Sequence, residues 1–63
     1  MYKPGDVVMV KGHDFPVTIT KIVSETGIIG YAGTYINYYN DKPITMDLAW
    51  IPHRLCKPLI VSA

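Results

Sequence analysis

Sixty-three residues make one domain, and a chain this short buries only about 60% of the surface its unfolded form exposes, so its core is thin and a partner subunit is one way to supplement it. The lone Cys56 excludes an intrachain disulfide and reads as a small apolar filler in a reducing compartment. Net charge is +1, with Lys3, Lys11, Lys21, Lys42, Arg54 and Lys57 scattered along the chain, which speaks against the clustered cations that phosphate binding requires.

Helical periodicity is nearly absent, whereas strand signals recur from end to end. "KPGD" (Lys3 to Asp6) reads as a turn, and "VVMVK" as a first strand with Val8 and Val10 on one face and Val7 and Met9 on the other. "GHDFP" is a loop. "VTITKIV" is a second strand with Val17, Ile19 and Ile22 inward, and the uneven step from Ile19 to Ile22 marks a bulge or bend. "SETG" closes a hairpin, and "IIGYAG" forms a third strand in which Gly30 and Gly33 permit a bend or a close backbone approach.

Thr34 to Lys42, which contains "TYINYYND", reads as the longest irregular piece: a surface segment, or an extended hairpin that pairs with another copy. "PITMDLAWI" is a fourth strand with Ile44, Met46, Leu48 and Trp50 as its buried parity. "PHRL" suits a single 3₁₀ turn, and "CKPLIV" a short last strand that Pro58 confines to an edge or a barrel rim. Five short hairpin-connected strands are too few for two packed sheets. The expected fold is all-β: a five-stranded SH3-like small barrel, one domain over residues 1–63, with one 3₁₀ turn before the last strand.

The opening "YKPGDVVMVKG", then "PVTITKI", and the closing "WIPHRLCKPL" resemble the small SH3-like barrel proteins of bacteria and phages, whose pattern is a Pro-Gly-Asp turn, a valine-rich first strand and a Leu-x-x-Pro-Leu-like finish. The resemblance covers both ends of the chain and implies a fold, not a site; the middle departs from it. "LAWIP" (Leu48 to Pro52) sits where the plasmid-encoded trimethoprim-resistant dihydrofolate reductases carry a Val-Gln-Ile-Tyr motif. Ala49 and Ile51 replace the glutamine and tyrosine that bind folate and NADPH in that family.

Catalytic signals are weak. His13 and Asp14 are neighbours, as are His53 and Arg54, but no nucleophile stands in a suitable context, and His13, Asp14, His53 and Cys56 lack metal-ligand spacing. The expectation is a non-enzyme with no cofactor and no metal. With a polar N-terminus and no apolar run of about 18 residues, it is also expected to be cytoplasmic, without signal peptide or membrane span.

The tyrosines carry the functional signal. Tyr35, Tyr38 and Tyr39 with Trp50 form a candidate surface patch, rimmed by Asn37, Asn40 and Asp41; half-apolar rings with polar tips are typical interface anchors. Tyr2 and Pro52 are further candidates for that patch. The expected role is a protein-binding or self-associating module, with a protein partner or a homo-oligomer. The alternative is a nucleic-acid-binding small barrel that stacks single-stranded DNA or RNA bases on Tyr38 and Tyr39 beside Lys11, Lys21, Lys42 and Arg54.

Overall fold

The computed structural model describes residues 1–59, and within them five antiparallel strands form one sheet in the order β4-β3-β2-β1-β5. The strands are β1 (Val7–Val10), β2 (Pro16–Glu25), β3 (Ile28–Tyr39), β4 (Lys42–Pro52) and β5 (Cys56–Pro58), with a 3₁₀ turn at His53–Leu55. The all-β class and the place of the 3₁₀ turn are as expected. β4 and β5 are the edges of the sheet, and no ladder between them closes it among the described residues. Ile60 and Val61, expected in the last strand, lie outside the described residues. Among those residues no helix is long and apolar enough to cross a membrane.

The chain enters the sheet through the Lys3 to Asp6 turn, where the Asp6 N–H donates to the Lys3 carbonyl at 3.0 Å and the Lys3 N–H donates to Asp6 Oδ2 at 3.0 Å. Two further bonds stitch this turn to β2: Gly5 N–H to the Ile19 carbonyl at 2.8 Å, and Ile19 N–H to the Asp6 carbonyl at 2.9 Å. Strand alternation then buries Val8 and Val10 from β1 and Val17 and Ile19 from β2. Directly after Ile19 the β2–β3 register slips by one residue, which is the bulge foreseen from the spacing. Ile22, expected inside, stands past the bulge opposite the buried Tyr31 but is itself 45% exposed.

Both long hairpins close with two residues of positive φ. Thr26 and Gly27 (φ 48° and 77°) join β2 to β3, and Asn40 and Asp41 (φ 50° and 63°) join β3 to β4. Such turns match the right-handed twist of the strands they connect. The segment expected to be irregular is therefore regular: β3 continues through Tyr39 and pairs with β4 from Tyr39↔Lys42 to Thr34↔Asp47. It is an extended hairpin.

The expected inward parity of β4 is also corrected. Between Tyr31↔Ile51 and Gly33↔Leu48, β4 spends three residues against two on β3, so a bulge at Ala49 and Trp50 switches which parity faces the core. Ile51 is buried, Leu48 and Trp50 are half-buried, and Ile44 and Met46 are exposed.

The core holds Val8, Val10, Val17, Ile19, Tyr31 and Ile51, with Tyr2, Phe15, Tyr35, Leu48, Leu55 and Cys56 packed against it. Its tightest point is Gly33, where a β-carbon would stand 2.7 Å from Val17 Cγ1 and 2.8 Å from the Thr18 carbonyl oxygen. On the other face of β3, a β-carbon at Gly30 would overlap the Trp50 indole. These are the close approaches foreseen at the two glycines. Gly33→Ala is expected to lower stability by about 1–3 kcal/mol through overpacking, read as a reduced urea midpoint with an unchanged m-value.

Candidate functional site

The β2–β3 ladder begins at Thr18↔Thr34, so beyond Thr34 the last five residues of β3 pair only with β4. At about 3.4 Å per residue this free arm extends roughly 17 Å. The molecule is correspondingly elongated, 40 × 29 × 21 Å, with a radius of gyration of 12.1 Å against about 11 Å for a compact chain of this length.

Register assigns every arm side chain to a face. Ile36 and Tyr38 share the outer face with Thr34, opposite Thr45, Pro43 and Asp47 respectively in the order Ile36↔Thr45, Tyr38↔Pro43 and Thr34↔Asp47. Tyr35, Asn37 and Tyr39 share the core-side face with Met46, Ile44 and Lys42. Both faces carry apolar groups in solvent: Ile36 is 48% exposed, Tyr38 70%, Tyr39 68% and Ile44 44%. A solvated hairpin normally alternates apolar with polar residues and keeps one face wet. This arm does not.

The base of the arm is fixed by aromatic packing. Tyr35 stacks on Phe15 with ring centroids 4.1 Å apart and planes 22° from parallel, and His13 leans on Phe15 at 4.9 Å. Beside this stack runs a groove of about 520 Å³, walled by Phe15 and Pro16 on one side and by Tyr35, Ile36 and Tyr38 on the other. Asp14 is the only charged residue lining it.

The structure thus gathers five of the six expected site residues, Tyr35, Asn37, Tyr38, Tyr39 and Asn40, on one hairpin. Trp50 is elsewhere. Its indole crosses the outer side of Gly30 and its Nε1–H donates to the Val23 carbonyl at 3.2 Å, eight residues along β3 from Tyr38. Tyr2 is also committed to the interior: its ring lies 5.6 Å from those of Tyr31 and His53, and its backbone N–H donates to Tyr31 Oη at 3.1 Å. Tyr31 Oη lies 2.7 Å from His53 Nδ1. With one lone pair taken by Tyr2, the arrangement that leaves no buried proton unpaired has the Tyr31 O–H donating to Nδ1.

Sequence reasoning missed Ile36, Ile44 and Met46 as site residues, and missed the groove wall of Phe15 and Pro16. The signal for Ile36 was present, since apolar residues occupy both parities of "YINYY"; Ile44 and Met46 share one parity of "ITM", which alternates as an ordinary strand does. Among the described residues no three His, Cys, Asp or Glu side chains stand close enough to share a metal ion. No protein-family model matches the chain, and neither a curated protein nor a solved structure matches it.

Burial pushes the Cys56 thiol above its ordinary range, and desolvation, followed by the neighbouring Cys56, Tyr31 and Asp6, pushes the Tyr2 phenol up. The folded chain therefore holds both protons more tightly than the unfolded chain. The associated stability is complete below about pH 8 and is lost as pH rises through the ordinary thiol and phenol range of about 8.5 to 10 and beyond. Melting temperature should fall over that interval, and it should fall less steeply in a Tyr2→Phe, Cys56→Ala variant, which retains the ring contacts without either titrating group.

Proposed function

We propose that this chain is a non-catalytic protein-binding module on an SH3-like small barrel, and that the β3–β4 arm is its binding element. The barrel reading is supported by the meander order of the strands, by the bulges that bend β2 and β4, and by the 3₁₀ turn between β4 and β5. The single observation that carries the function is the solvent exposure of apolar side chains on both faces of the arm, which the chain's own core does not use. Tyr38 and Tyr39 are the anchors, since rigid rings bury much area at small conformational cost. Asn37 and Asn40 supply hydrogen bonds at the rim.

A nucleic-acid partner is the weaker reading. Lys42 is the only cation between Lys21 and Arg54, and affinity for a phosphate backbone grows with the number of phosphates neutralised.

The test is a Tyr38→Ser, Tyr39→Ser double variant, compared with the parent in chemical cross-linking, and both proteins titrated with labelled single-stranded DNA and RNA at low salt. Both rings lie outside the core, so the variant should keep the parent's far-UV circular dichroism. It should lose the cross-linked species that the parent forms. Cross-linked species that persist in the variant, or a salt-sensitive nucleic-acid affinity in the parent, contradict the proposal.

A further inference from the structure

We infer that the occupant of the arm is a second copy of this chain, and that the seat of each arm is the groove beside Phe15 and Pro16 of the other copy. This inference rests on the arm being a binding element and adds where it binds. Three observations carry it.

The first is area. Ile36, Tyr38, Tyr39, Ile44 and Met46 are all counted among the exposed large hydrophobic residues, and at about 200 Å² for a fully exposed large side chain they leave roughly 500 Å² in solvent. A standard interface buries about 800 Å² per partner, of which about 450 Å² is apolar. The arm alone therefore supplies the apolar share of one side of a stable dimer.

The second is continuity. One wall of the groove is the arm itself, through Tyr35, Ile36 and Tyr38. A copy that lays its arm in its neighbour's groove brings its own groove against the neighbour's arm, which is the self-complementary condition of a two-fold contact. The one charge lining the groove among the described residues is Asp14, and the arm's one cation, Lys42, stands at the tip beside Asp41, so the pair that the exchange can form is Asp14 with Lys42.

The third excludes the obvious alternative, a continuous sheet through paired β4 edges. A two-residue turn makes Tyr39↔Lys42 the hydrogen-bonded closing pair, so Tyr38↔Pro43 is a non-hydrogen-bonded pair whose backbone faces the open edge. Pro43 has no N–H to offer there, and proline together with lysine on an edge strand is how sheets avoid such pairing. The faces, the tip and the β3 edge beyond Thr34 are left as the docking surfaces of the arm.

Sedimentation equilibrium of the full chain tests this, with Asp14→Lys, Lys42→Asp and the doubly swapped chain compared with the parent. The parent should be dimeric. Each single swap should raise the dimer dissociation constant about tenfold or more by placing like charges together, and the double swap should return it to within about threefold of the parent, with all four proteins giving the same circular dichroism. A parent that remains monomeric at about 1 mM, where an association worth about 4 kcal/mol is half complete, overturns the second copy and leaves the arm to a different protein. A dimer that the Tyr38→Ser, Tyr39→Ser variant loses, but that neither single swap weakens, overturns the groove as the seat while the arm stands.

Discussion

The passage of β3 through the centre of the molecule depends on the absence of a side chain at Gly33. Val17 Cγ1 and the Thr18 carbonyl occupy the space a β-carbon would need, and this contact lets β2 pack closely on β3. Tyr31, two residues earlier, fills the interior and joins it to the rest of the chain. Its hydroxyl meets the Tyr2 backbone and the His53 ring, tying the N-terminus and the 3₁₀ turn to the middle strand. A strand held this firmly at its centre can run beyond the core without its own cover. The arm follows from that: β3 keeps its β4 partner after β2 has ended, and residues on both parities go into solvent together.

This division of labour explains why two groups of aromatics with similar sequence surroundings have different fates. Tyr2, Tyr31 and Trp50 are consumed by the fold, each with its polar atom bonded inside: Tyr2 through its backbone N–H and a long 3.5 Å bond from its hydroxyl to the Cys56 carbonyl, Trp50 through the Val23 carbonyl. Tyr35 is intermediate, stacked on Phe15 at the arm's base. Tyr38 and Tyr39 lie beyond the last β2 pairing and have no such partners among the described residues. Among the described residues the core cluster holds six side chains, and covering the arm by association would add burial to a thin core.

Where alternation was uninterrupted, the fold was legible in the sequence. Val8 and Val10, Val17 and Ile19 follow period two and lie inside, and the uneven spacing after Ile19 announced a real bulge. The β4 bulge carried no comparable mark, because "MDLAWI" is apolar on enough positions of both parities that neither register stands out; Ile51 rather than the Ile44 and Met46 parity therefore reached the core. The Thr34 to Asp41 hairpin was obscured for two reasons. Its turn uses Asn40 and Asp41 without the glycine that usually signals positive φ, although both residue types tolerate that conformation. Its β3 strand is apolar on both faces, which erases the alternation by which strands are recognised. That same property is the one on which the proposed role rests.

The most direct test of the account is a dilution series of amide chemical shifts measured by heteronuclear NMR. The account predicts concentration-dependent shifts confined to Ile36 to Lys42, Ile44, Met46 and the groove residues Asp14 and Phe15, with Val23, Gly30 and Trp50 unmoved. Shifts that are independent of concentration, or that cluster instead around Gly30 and Trp50, would contradict it.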